Sequence, residues 1–427
     1  MISFFDFNRR PGRAGLLRSA ALALLCFGVT VFTVNAAEQK PADKGNSLRA
    51  EVGKPLQAAR DLMQQKQYKE ALAKVDEASH IAGLTPYEHY IIDRMRGAAS
   101  SSAGDPTTAI RSFESALASG LMPKADELST LEAISGQAYA MRNYPKVIET
   151  IGKYRDAGGT SPAVLGLMPQ ALYLAGRYGD AAKELSAQLV AAEKTGKPPT
   201  EDQLQLLASC ALKQNDSVGY VSALMQLVGH YPKDSYWRDL IERVSGRSGF
   251  SPRLSLDVYR LRSQTNTLAS AADYIDATEL ALQAGLPGEA QRFMDRGTAA
   301  GLLGKGAAGD VDRQNRLKAM IGRKMAEDKA SLAAAEKQAT AQSGGDALVN
   351  TGLNYVGYGS YDKGLALIQQ GVARGGLANS DEARLHLGYA QLLAGKKDDA
   401  LKSFGAARGN DGTADLARLW SLRARNS

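Results

Sequence analysis

One apolar face recurs along this chain at helical spacing. Eight times between residues 68 and 407 a leading residue is followed, at offsets of three, seven and ten, by small, large apolar and small positions or close substitutes. Tyr68-Ala71-Val75-Ala78 and Pro106-Ala109-Phe113-Ala116 open the series. Tyr144-Val147-Ile151-Tyr154, Tyr178-Ala181-Leu185-Gln188 and Ser217-Tyr220-Leu224-Leu227 continue it. Pro287-Ala290-Met294-Gly297, Tyr361-Gly364-Ile368-Gly371 and Lys397-Ala400-Phe404-Ala407 complete it. Those offsets put the residues on one face of a helix with 3.6 residues per turn. Two positions before the leading residue stands Gly104, Gly176, Gly285, Gly359 or Gly395 in five of the eight copies. Glycine there supplies the left-handed conformation that ends one helix and lets the next turn back. Upstream of the turn lies a second amphipathic helix, as in Asp381–Leu393, with Leu385, Gly388 and Leu392 near one face. The predicted unit is an antiparallel helix pair.

The leading positions are 34 to 39 residues apart, except for two gaps of 70 and 74. Each large gap is about two periods long and predicts one degenerate copy, giving about ten pairs in all. A fixed period in the mid-thirties predicts a solenoid. Lys194–Pro199 reads as a loop before Thr200, an N-cap with Gln203 three residues on. Ala299–Gly309 reads as a flexible turn, 310–341 as one or two longer exposed helices, and Thr413–Arg425 as a closing helix. The expected divisions are a signal segment 1–36, a polar linker 37–50, strong repeats 51–233, degenerate repeats 234–343, strong repeats 344–412, and a capping helix with tail 413–427.

Leu387-Gly388, Gly395, Ala400, Phe404 and Ala407 resemble the tetratricopeptide repeat almost position by position, and Pro232 falls where that repeat often ends. The resemblance spans roughly residues 50–410 and is weakest around 235–268 and 308–342. It implies an all-α fold, a right-handed α-solenoid of about ten hairpins, and a protein that binds peptides or other proteins. The run through Tyr236-Trp237, Gly249-Phe250 and Leu256-Asp257-Val258-Tyr259-Arg260 is similar to exported proteobacterial proteins of this class, which implies a bacterial envelope setting.

The N-terminus agrees with export. Arg9, Arg10, Arg13 and Arg18 precede an apolar run from Ala20 to Val34, and Asn35-Ala36-Ala37 offers a signal-peptidase site after Ala36. The run is shorter than the roughly 20 residues a spanning helix needs; an uncleaved inner-membrane anchor is the alternative. Removal of residues 1–36 lowers the net charge from +7 to +4, too dilute for a nucleic-acid-binding face. It also leaves Cys210 as the only cysteine, so the exported chain forms no internal disulfide.

Catalytic chemistry is not legible. His80, His89, His230 and His386 are scattered, and no pair has the spacing of metal ligands on one helix face. Cys210 lies on an apolar helix face and reads as a buried, inert thiol. Neither a phosphate-binding glycine loop nor a nucleophile elbow occurs. No cofactor and no metal is expected. A solenoid presents a concave surface, and the resemblance implies that the first helix of each pair lines it. By phase, Glu132, Tyr139, Gln170, Tyr173, Gln205 and Tyr389 are the expected peptide contacts, Tyr and Gln combining apolar area with hydrogen bonding. The expected function is a non-catalytic scaffold of the periplasm, with envelope proteins or an extended peptide as partners. A carbohydrate-binding accessory of polysaccharide export or wall remodelling is the alternative, weakened by a content of two tryptophans, Trp237 and Trp420. A hydrolase is disfavoured.

Overall fold

Residues 47–427 are described in the computed structural model of the chain; the expected signal segment and most of the linker lie outside them. Among the described residues the regular structure is entirely helical. The chain forms two compact units, one reaching to Gly196 together with Ser209–Asn215, the other comprising Lys197–Ala208 and Asp216–Ser427. The boundary expected at 233/234 therefore falls inside the second unit.

The first unit contains α1 (Ala50–Gln64), α2 (Tyr68–Ser79), α3 (Pro86–Ala103), α4 (Pro106–Ala118), α5 (Lys124–Ala140) and α6 (Tyr144–Asp156). It continues with α7 (Pro162–Leu165), α8 (Leu167–Leu174) and α9 (Tyr178–Lys194). Each helix packs on its neighbours in sequence or on the next but one, the near-linear stacking of a solenoid. Helix α10 (Glu201–Lys213) is shared between the units. Its start is the expected capping box: Thr200 Oγ1 accepts from the Gln203 N–H at 3.3 Å, and Gln203 Oε1 accepts from the Thr200 N–H at 2.9 Å.

The second unit contains α11 (Ser217–His230), α12 (Asp234–Ser245), a 3-10 turn (Pro252–Leu254), α13 (Ser255–Gln264), α14 (Ala271–Gln283) and α15 (Pro287–Ala299). It continues with α16 (Ala308–Ala341), α17 (Asp346–Gly357), α18 (Tyr361–Arg374), α19 (Ser380–Leu393), α20 (Lys397–Ala406) and α21 (Thr413–Arg425). The first degenerate copy is present as α12 and α13. The second is not a hairpin: α16 is one helix of 34 residues. Nine of its residues are Ala and seven are Lys or Arg, and it holds no Pro to end the helix.

The repeat positions are filled as the periodicity predicts. Ala71, Val75 and Ala78, Ala109, Phe113 and Ala116, and Ala400, Phe404 and Ala407 are all buried. Gln188 is the exception; it is half-buried and donates to the Leu165 carbonyl at 3.0 Å. All five turn glycines have positive φ. The three copies without glycine adopt the same conformation with Lys66 (φ 61°), Arg142 (φ 58°) and Asn215 (φ 55°). Turn geometry is thus conserved between copies even where the sequence does not favour it.

Candidate functional site: a ladder of first helices and a closed polar core

In the first unit, polar side chains link the first helices of successive pairs. Gln137 on α5 donates to Ser101 Oγ on α3 at 2.6 Å, and the Tyr139 hydroxyl on α5 donates to Gln170 Oε1 on α8 at 2.9 Å. Tyr139 also meets Tyr144 edge-on at 6.1 Å, and Tyr173 meets Tyr178 in the same way at 5.2 Å. Glu132 accepts from the Tyr154 hydroxyl at 2.8 Å. Burial raises the pKa of the Tyr139 phenol, which therefore stays protonated and acts as a donor. Glu132, Tyr139, Gln170 and Tyr173 are all partly exposed. Four of the expected contacts therefore share this unit, two of them bonded to each other.

In the second unit the same kind of link joins α10 to α12. The Gln205 amide donates to the Tyr236 hydroxyl, which itself donates to Glu201. Lys233 pairs with Glu201 as well.

Tyr389 is placed differently from the expectation. It is buried, with Trp420 at 5.2 Å from its ring and the Arg260 guanidinium at 5.0 Å over its face. Its hydroxyl donates to Glu289 Oε1 at 3.0 Å. Burial and the Glu289 charge push its pKa upward, so it too remains a donor. It does not line an open surface, because the second unit closes on itself.

The closure has a polar centre and a tied rim. Arg260 on α13 donates to Glu289 Oε2 at 2.7 Å and to Asp257 Oδ1 at 2.8 Å, and all three side chains are almost inaccessible to water. His386 Nε2 on α19 lies 3.1 Å from Asp257 Oδ1. Burial alone would raise both carboxyl pKa values. For Asp257 the charges of His386 and Arg260 overcome it, and for Glu289 the Arg260 charge and its hydrogen bonds do, so both stay ionised. Around the centre, Arg253 bridges Glu382 at 3.1 Å and Asp411 at 2.8 Å, and Arg247 pairs with Asp415 at 2.6 Å. Arg423 donates to the Gln264 carbonyl at 2.8 Å, and Asn426 to that of Val228 at 2.9 Å. Helix α21 therefore packs on α11, α12 and α13 as well as on α19 and α20. It fastens the two ends of the unit together and is more than a terminal cap.

Sequence reasoning missed this network. Its only local signal is a charged pair, Asp257 and Arg260, one turn apart in an otherwise apolar segment. Cys210, by contrast, is buried as expected, and burial pushes its thiol up to about 11, leaving it protonated.

The paired helices pack closely. A Cβ on Gly97 would lie 2.5 Å from the Phe113 ring, one on Gly388 2.5 Å from the Phe404 ring, and one on Gly352 2.6 Å from Ile368. In all three the small residue of a first helix faces the large residue 16 positions later on the second. These are closely packed antiparallel helix pairs, the geometry that the tetratricopeptide resemblance implies.

No family model and no curated protein matches the chain. Solved structures that it resembles include the complex of the TPR2AB domain of yeast Sti1 with pHSP90, at 12% identity over 87% of this chain and 98% of that one, with a TM-score of 0.28. Yeast Tom70 matches at 10% identity over 87% and 95%, with a TM-score of 0.24. The pentatricopeptide repeat protein PPR10 from maize matches at 14% identity over 86% and 61%, with a TM-score of 0.30. At such scores the likeness carries no argument of its own. Among the described residues no helix is long and apolar enough to cross a membrane.

Proposed function

We propose that the protein is a non-catalytic interaction scaffold of the bacterial periplasm, and that its first unit binds an extended segment of an envelope protein. The observation that carries this reading is the first-helix ladder. Ser101, Gln137, Tyr139 and Gln170 come from three consecutive pairs, remain partly exposed and are already mutually oriented. Amides and phenols held in this way offer an extended backbone both hydrogen bonds and apolar area at little ordering cost. The corresponding tyrosine of the second unit is spent on Glu289, which leaves the first unit as the binding face.

The test has two parts. Fractionation of cells producing the tagged chain should place it in the periplasm, shortened at the N-terminus. Purification after crosslinking should recover one stoichiometric envelope protein, and Tyr139→Ala with Gln170→Ala should remove it without changing the fold. Recovery of glycan fragments alone, or a partner unaffected by both substitutions, would overturn the reading.

A further inference from the structure

The geometry points to a divalent transition-metal site at the closure of the second unit, formed by Asp257, Glu382 and His386. Each of the three offers a ligand atom, and these atoms lie within 4.8 Å of one another. Glu382 and His386 are four residues apart on α19 and so project from one face of it. Asp257 comes from α13, 129 positions earlier. His386 Nε2 and Asp257 Oδ2 are already 3.2 Å apart, near the edge length of a coordination shell with metal–ligand distances of about 2.0–2.2 Å. What remains is a turn of the Glu382 side chain, which is 19% exposed.

Two further observations favour a cation. The first is the distribution of unused acceptors. Arg260 occupies Asp257 Oδ1 and Arg253 occupies Glu382 Oε2. Among the described residues, Asp257 Oδ2 is met only by His386, and Glu382 Oε1 accepts no hydrogen bond. One oxygen of each carboxylate and one imidazole nitrogen thus converge, while the other oxygens are held in place by the Arg260 and Arg253 guanidinium groups, which fix the orientation of both carboxylates. The second is charge. Asp257, Glu289, Glu382 and Asp411 are linked to Arg253 and Arg260, and Arg292 reaches Glu289 only at 3.9 Å. With a neutral His386, as a ligand imidazole must be, four carboxylates against three guanidinium groups leave one negative charge beside the buried Asp257 and Glu289. The competing occupant is a proton on His386; the mixed imidazole and carboxylate set suits zinc over magnesium. An ion bound there would join α13 to α19 and so stabilise the closure.

The experiment uses the full chain after chelation, titrated with Zn2+ and, separately, with Mg2+ by calorimetry, with metal content checked by mass spectrometry. One saturable equivalent of Zn2+ is expected, no saturable Mg2+ binding, and a rise of a few degrees in the melting of the second unit at Zn2+ excess. Glu382→Gln keeps an oxygen for Arg253 and should fold; it and His386→Gln should each weaken Zn2+ binding at least tenfold, whereas His80→Gln should not. Absence of saturable Zn2+ uptake by the wild-type chain, or uptake unchanged in both site variants, would overturn the assignment.

Discussion

Tyr389 donates its hydroxyl hydrogen to Glu289 at 3.0 Å, joining positions 100 residues apart in the chain. The bond turns one of the sequence's most natural groove residues into part of a core. It also separates the two units in kind: the first is a stack of neighbours, the second a closed ring of contacts.

Removal of that hydroxyl should therefore be felt in one unit only. Tyr389→Phe leaves Glu289 with Arg260 as its remaining donor and should cost about 1–2 kcal/mol. Hydrogen exchange should show faster opening of α13, α15, α19 and α21 and unchanged protection in α1–α6. Uniform loosening would mean that the units do not act separately.

Arg260 should matter more than any other single side chain. Arg260→Met takes from two buried carboxylates, Asp257 and Glu289, their shared guanidinium partner and should destabilise the second unit by about 3–5 kcal/mol. Denaturant titration would then show that unit melting before the first, whereas a loss below 1 kcal/mol would show that water reaches the centre freely.

The first unit carries an acid-sensitive tie at its N-terminus. Arg49 hydrogen bonds to Glu88, opposed by burial and aided by the Thr85 N–H, and brings the Glu88 pKa from the ordinary 4.5 down to about 2. A depressed carboxyl pKa contributes stability above its unfolded value that is lost as pH falls through the folded one. Protection of α1 and the start of α3 should therefore decline between pH 4.5 and 2, and Glu88→Gln should flatten that decline.

Arg142 pays for its left-handed turn with steric strain. Glycine at φ 58° relieves a penalty of about 1–2 kcal/mol and returns part of it as chain entropy. Arg142→Gly should therefore stabilise the first unit by up to about 1 kcal/mol, and Gly176→Ala, at φ 78°, should destabilise it. Thermal melts of the two variants would check the opposite signs.

Gly388→Ala would drive a methyl group into the Phe404 ring, a 2.5 Å approach, and should cost about 1–3 kcal/mol in the second unit. Gly97→Ala makes the equivalent clash with Phe113 in the first unit. Hydrogen exchange on the pair should show each loosening its own unit, as nearest-neighbour packing requires.

How much of this was legible depends on sequence distance. The helix pairs were readable because Ala71, Val75 and Ala78, or Ala400 and Phe404, lie within three turns of one another and repeat. The turns at Lys66 and Arg142 were harder, since neither residue type favours a positive φ, whereas Asn215 tolerates one. The α16 region was misread as concealing a copy because its length matches a period while its composition favours an unbroken helix. The closed centre was beyond local reading: Asp257 meets His386 across 129 positions, and nothing near either residue announces the other. Of the expected contacts, Tyr139 and Gln170 were brought together, and Tyr389 was taken into the interior.

The central claim is that binding belongs to the first-helix face of the first unit. A photoreactive amino acid placed at Gln170, at Lys183 on the second helix of the same pair, and at exposed Asp399 in the second unit would test it directly in living cells. One discrete crosslinked protein at position 170, absent at 183 and 399, is the predicted result. Equal crosslinking at all three positions, or crosslinking confined to 399, would contradict it.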